Sequence, residues 1–81
     1  MLREKPARLV AIGERIRSVR NRRKLTQMDV AFAADMGRAY YGRIERGEAN
    51  ITVLNLIRLA VVLEVEVGEL LPSIEDLRRM T

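Results

Sequence analysis

Apolar residues recur at helical spacing along nearly the whole chain. Leu9, Ile12, Ile16 and Val19 fall three and four apart, which predicts a first helix beginning at or just before Pro6. Arg15, Arg17, Arg20 and Arg22 are assigned to its other, solvent-facing side. Thr26 reads as the N-cap of a second helix, Gln27 to about Ala34, with Asp29 completing a capping box three residues on. Ala31, Ala33 and Ala34 leave room for another helix to come close. Asp35 to Gly37 makes the turn into a third helix, Arg38–Arg46, with Ile44 facing inward and Tyr41, three residues earlier, on the same side. Gly47 supplies the stop.

After a loop from Glu48 to Ile51, Thr52 caps a fourth helix that runs to about Leu63 and is apolar on two sides. Leu56, Leu59, Ala60 and Leu63 form one stripe and Leu54, Ile57 and Val61 a second. A surface helix of a monomer needs only one such face, so the second covers another part of the chain or another chain. A fifth helix, about Val67–Leu71, ends at Pro72. Ser73 and Asp76 suggest a further capping box opening the tail Ile74–Met80, whose apolar edge is Ile74, Leu77 and Met80. That tail is read as either a short sixth helix on a dimer seam or a frayed end. With strand signals essentially absent, the expected fold is all-α: a compact five-helix bundle within a single domain, 1–81, its core at about 6–71 and its tail at 72–81.

Composition narrows the chemistry. The chain has no cysteine and no histidine, which removes disulfides, thiolate metal sites and imidazole catalysis. No nucleophile–base pair, metal-ligand cluster or phosphate-cradling loop is evident, so no catalytic residue, metal, cofactor or small-molecule ligand is expected. The apolar run Leu59–Leu63 is far too short to span a membrane. The charges at Arg3, Glu4 and Lys5 lead into no apolar segment of the signal-peptide kind. A cytoplasmic protein is the expectation. Charge is also uneven: Met1–Gly47 carries 12 Lys/Arg against 5 Asp/Glu, and Glu48–Thr81 carries 3 against 6. A basic N-terminal half suits a polyanion, and the arginines leading into Arg23 and Lys24 suit phosphates in particular.

The segment Thr26–Gly47 meets the demands of a helix–turn–helix, whose second helix enters the major groove and meets base edges with its first residues. It has a short turn, small residues where the helices cross, and Arg38, Tyr40 and Arg43 early in the second helix. Arg38 and Arg43 can each form a bidentate contact with guanine, worth roughly 1–3 kcal/mol of discrimination. Gly42 is a weak helix former, read either as room for close approach to DNA or as a tolerated flaw.

Thr26–Gln27, Ala31 and Ile44–Glu45–Arg46–Gly47 together resemble the XRE family, the lambdoid repressor and Cro type of DNA-binding domain. The likeness extends through Gly13–Arg17 and through Leu56, Leu59–Ala60, Leu63, Val65 and Glu69–Leu71, covering about Ile12–Leu71. The small size together with Arg38–Tyr41, Ile44–Gly47 and Ala49–Thr52 looks most like the controller proteins of restriction–modification systems. The resemblance implies a homodimer on a pseudo-palindromic operator in double-stranded DNA, in a bacterium or phage. By position it implies base contacts at Arg38, Ala39, Tyr40 and Arg43. It implies phosphate contacts at Gln27, Arg46 and Asn50, beside the Arg20, Arg23 and Lys24 cluster, and a dimer interface at Leu54, Ile57 and Val61. It casts Glu45 as a brace through an internal charge pair. In relatives, activation often uses acidic residues on the second helix, so Asp29 is a candidate for contact with RNA polymerase, although capping already accounts for it. Departures are plain as well. The family often has glycine where Lys24, Asp35 and Glu64 stand, arginine in place of Ala49 and threonine in place of Ala39.

Two other readings compete. On the same fold the second apolar stripe of the fourth helix would serve a protein partner, as in an antitoxin. A membrane-surface protein fits worst, because the arginines are spread over several helices rather than along one amphipathic face.

Overall fold

A computed structural model describes residues 5–80; the charges at Arg3 and Glu4 and the last residue, Thr81, lie outside the described residues. Five α-helices and one 3-10 turn follow one another: α1 (Ala7–Arg22), α2 (Gln27–Ala33), α3 (Arg38–Glu45), α4 (Val53–Leu63), the turn Val67–Leu70 and α5 (Ile74–Arg79). Among the described residues no strand forms, and no helix is long and apolar enough to cross a membrane. The all-α bundle is therefore as expected, with two differences. The expected fifth helix is a single 3-10 turn, too short at four residues for an α-helical ladder. The tail is a formed helix, started by Ser73, whose hydroxyl accepts from the Asp76 amide at 3.1 Å. At its other end, Arg8 of α1 donates to the carbonyl oxygens of Leu77 and Met80 at 3.0 and 3.4 Å. A cation there satisfies orphan carbonyls and suits the negative end of the helix dipole.

The predicted caps form. Thr26 Oγ1 accepts from the Asp29 amide at 3.0 Å while an Asp29 carboxylate oxygen accepts from the Thr26 amide at 2.8 Å. The bond from the Thr26 amide, followed by the interaction with the Thr26 hydroxyl, holds the Asp29 carboxyl below the usual carboxylate range. Thr52 Oγ1 accepts from the Asn55 amide at 3.1 Å.

α1 packs against α3 and the 3-10 turn, α2 against α3 and α4, and α4 against the turn. Ile16, Val30, Tyr41, Ile44, Leu59, Leu63 and Leu70 are the largest fully buried side chains. The inner stripe of α4 is the predicted one: Leu56, Leu59, Ala60 and Leu63 are all buried. Ala31 and Ala34 are buried at the α2 crossing, whereas Ala33 is exposed. α1 crosses α3 at Gly13, where a Cβ would stand 2.5 Å from the carbonyl oxygens of both Ile44 and Glu45. Only glycine permits that approach.

Each of the first four helices ends the same way. Lys24, Asp35, Gly47 and Glu64 have φ of 58, 57, 72 and 57°. The amide of the residue after each donates back to the preceding helix: Leu25 to Arg20 O, Met36 to Ala31 O, Glu48 to Arg43 O and Val65 to Ala60 O. This is the Schellman stop, which satisfies carbonyls that the helix leaves orphaned. Three of the four left-handed positions carry side chains. Positions where the resemblance led one to expect glycine thus keep the left-handed geometry with Lys, Asp and Glu, at an intrinsic cost of roughly 1–2 kcal/mol for each L-residue.

Candidate nucleic-acid interface

The N-terminus of α2 and the outer face of α3 meet in a polar recess lined by Gln27, Arg38, Ala39, Gly42, Arg43 and Arg46. Arg38, Ala39 and Arg46 are exposed and Arg43 is half-buried. Arg38 forms no ion pair among the described residues, which leaves its whole guanidinium fork facing outward. Arg46 donates through Nε to Glu48 at 3.1 Å, and Lys5 meets the other Glu48 oxygen at 3.1 Å. Hydrogen bonds from Lys5 and then Arg46 hold the Glu48 carboxyl below its usual range. Tyr40 is half-buried, its hydroxyl accepting from Asn55 Nδ2 at 3.1 Å and its ring 5.8 Å from the Arg43 guanidinium carbon. Asn50 is exposed in the loop after α3. Gly42 is buried, and a Cβ there would come within 3.2 Å of Arg46 Nη1 and 3.7 Å of Gln27 Oε1. Its room is therefore taken by two side chains of the protein itself.

Beneath the recess lies a carboxylate with every acceptor site used. Glu45 Oε2 accepts from Arg20 Nε at 2.6 Å and from the Tyr41 hydroxyl; Oε1 accepts from Arg20 Nη2 and from Gln27 Nε2, both at 3.0 Å. Four donors on four lone-pair positions is the most a carboxylate can hold. Burial pushes the Glu45 carboxyl up, but the bonds from Arg20, Tyr41 and Gln27 outweigh it and hold the group below the usual carboxylate range. Burial, helped by the bond to Glu45, pushes the Tyr41 phenol far above its ordinary value, so it stays a donor. Glu45 is thus the internal brace that the resemblance implied, joining α1, α2 and α3.

Two of the expected phosphate contacts have partners within the protein, one inside it and one at the surface. The Arg20 guanidinium is spent inside the protein, on Glu45 and on the Leu25 carbonyl at 2.9 Å. Arg23 turns toward the end of α4, donating to Leu63 O at 3.1 Å and pairing with Glu64. The sequence pattern assigns Arg20 to the solvent side of α1, but Arg20 lies four residues beyond Ile16 and continues the buried stripe; that spacing is the available signal. Arg23, at the end of α1, is exposed. Lys24 is exposed.

On α4, Leu54, Ile57 and Val61 are 70%, 42% and 70% exposed, and Val53 beside them is exposed too. Ile57 and Val61 border a shallow recess shared with Ala33, Ala34, Asp35, Arg58 and Val62, so the apolar surface continues onto the end of α2. Sequence reasoning passed over Phe32, 87% exposed, and Met28 on the same helix. Four-residue spacing on the side opposite Val30, Ala31 and Ala34 would have shown them.

Comparison with known proteins agrees with this architecture. Residues 16–70 match the family described as Helix-turn-helix. The control protein C.SmaI of Serratia marcescens is 40% identical over 60 residues, 74% of this chain and 71% of that protein. The control protein C.MunI of a Mycoplasma species is 30% identical over 67 residues, 82% of this chain and 90% of that protein. The crystal structure of the restriction-modification controller protein C.AhdI from Aeromonas hydrophila superposes with a TM-score of 0.75 at 39% identity, covering 76% of this chain and 94% of that one. On these grounds the chain belongs to the helix-turn-helix family, in the XRE-type branch that includes the restriction–modification controller proteins.

Proposed function

We propose that the protein is a sequence-specific regulator of transcription that binds double-stranded DNA as a homodimer, at a pseudo-palindromic operator governing a restriction–modification operon. The observation that carries this reading is the recess itself. Three arginines, Arg38 at the start of α3, Arg43 in its last turn and Arg46 just past its end, line one recess. A helix presented this way enters the major groove, with Arg38 and Arg43 at base edges and Gln27, Lys24, Arg46 and Asn50 along phosphates. Arg20 is not part of this set, because its guanidinium is engaged within the fold; Arg23 is exposed and its pairing with Glu64 lies at the surface, so it stays in the phosphate set beside Lys24. The exposed stripe Leu54, Ile57 and Val61 supports dimerisation, which would place two copies of α3 about 34 Å apart in successive major grooves. The named relatives support the operon. The work is binding rather than catalysis, and its setting is the cytoplasm. Activation would further require contact with RNA polymerase, for which Asp29 is exposed on α2.

The test is enrichment of duplexes from a random pool about three helical turns long, with sedimentation equilibrium at micromolar concentration on the same sample. An enriched inverted repeat bound by two chains is the expected result. A dimer that enriches nothing over random DNA at moderate salt would sink the reading. A stable monomer would favour a module whose α4 stripe takes a different protein, as in the antitoxin reading.

A further inference from the structure

Among the described residues, Tyr40 is the one side chain of the outer face of α3 that is hydrogen-bonded to α4. Its phenolic oxygen accepts a hydrogen bond from Asn55 Nδ2, and its ring lies in cation–π range of Arg43. The Asn55 backbone is itself fixed, since its main-chain N–H donates to the Thr52 cap and the residue is half-buried in the first turn of α4. The amide nitrogen occupies an acceptor position of the phenol, so the O–H proton remains free to be donated elsewhere. A tyrosine held this way presents a donor in a set direction and offers its ring to an arginine that lines the recess. Asn55 lies outside the helix-turn-helix segment, between Leu54 and Ile57 of the exposed apolar stripe.

We infer that Asn55 is a positioning residue for DNA sequence recognition, orienting the Tyr40 hydroxyl as a donor and, through the Tyr40 ring, steadying Arg43. The inference rests on the proposed reading of DNA by α3. It makes two predictions that a merely structural asparagine would not. Removing the amide lowers selectivity while leaving general attraction to DNA intact. Replacing the amide by a carboxylate of the same size also lowers selectivity, because the carboxylate can only accept and so draws the Tyr40 proton onto itself.

The test uses the full chain and the duplex that it enriches from the random pool, against a scrambled duplex of equal length. Asn55→Ala and Tyr40→Phe are each expected to weaken binding to the selected duplex about three- to tenfold, the worth of one hydrogen bond, with little change on the scrambled one. The double variant should lose no more than the larger single loss. Asn55→Asp, which keeps the shape, covers the case in which the alanine variant fails to fold. Its added negative charge weakens both duplexes, so the ratio of the two affinities is the readout, and that ratio should fall. Sedimentation should show both Asn55 variants still dimeric. An unchanged ratio in Asn55→Asp, equal losses on both duplexes in Asn55→Ala, or additive losses in the double variant would each overturn the inference. A wild-type chain that enriches no duplex would overturn the underlying reading as well, so the two failures are distinct.

Discussion

Lys24 offers a test of backbone strain separated from side-chain contacts. Its φ of 58° puts an L-residue in the left-handed region, and its side chain is exposed with no hydrogen bond among the described residues. Lys24→Gly removes both the long side chain and the Cβ, whereas Lys24→Ala removes the side chain and keeps the Cβ. Charge loss and the weakened interaction with the α1 dipole are common to both, so the difference between them reports the Cβ alone. The left-handed cost is roughly 1–2 kcal/mol, and glycine gives back about 0.5–1 kcal/mol through the freedom of the unfolded chain. The glycine variant should therefore be the more stable by about 1 kcal/mol. In a domain of this size that corresponds to about 4–8 °C in Tm, readily resolved by circular dichroism melts in one buffer. If Lys24→Gly melts at or below Lys24→Ala, the left-handed stop is not held at this residue and the account of the helix ends is wrong. The same pair examines the proposed phosphate contact separately: both variants should reduce the slope of log affinity against log salt by about 1.

Glu45→Gln should destabilise the fold by about 3–5 kcal/mol, because it leaves Arg20 charged, shielded and without its partner; chemical denaturation of wild type and variant checks it, and a loss under about 1 kcal/mol would mean that water or other groups replace the pair. Because the folded-state carboxyl of Glu45 is held below its unfolded value, its contribution is present above the unfolded value of about 4.3 and fades as pH falls through the lower folded one. Denaturant midpoints measured from neutral pH downward should fall more steeply below about pH 4 in the wild type than in Glu45→Gln, and parallel curves would refute the assignment. Ile57→Asp should yield a folded monomer, since it sets a charge in the middle of the exposed stripe; a dimer of unchanged strength in sedimentation would move the seam elsewhere. Arg38→Ala should cost about 1–3 kcal/mol on the selected duplex and much less on random DNA, and equal losses would make Arg38 a phosphate contact.

Features set by neighbours in sequence were legible; those set across the fold were not. The Thr26 capping box, the Thr52 cap and the inward Tyr41 follow from spacings of three and four residues, and each stands where the pattern put it. The inner stripe of α4 was equally plain. Arg20 is misplaced by the pattern because an arginine at the edge of an apolar stripe reads the same whether it turns to solvent or to a carboxylate 25 residues away. Gly13 gave no local sign of its crossing with α3. The left-handed stops at Lys24, Asp35 and Glu64 were identified only as departures from a glycine pattern, and local propensity argued against the conformation that all three adopt. α5 could not be decided from so short a segment, because Arg8, which ties down its C-terminal end, is about 70 residues away.

The saturation of Glu45 bears on what happens when a ligand arrives. Gln27 stands at the surface, where a long polar side chain ordinarily samples several rotamers, and freezing one on binding costs about 0.5–1.5 kcal/mol. Here an amide N–H is already held by a carboxylate that is anchored by Arg20 and Tyr41. The amide can turn neither way round, since a carboxylate accepts and never donates. Much of the ordering entropy at this corner of the recess is thus lost during folding rather than at association. The buried charge, whose removal would loosen the core, also prepares the surface above it for docking with little reorganisation.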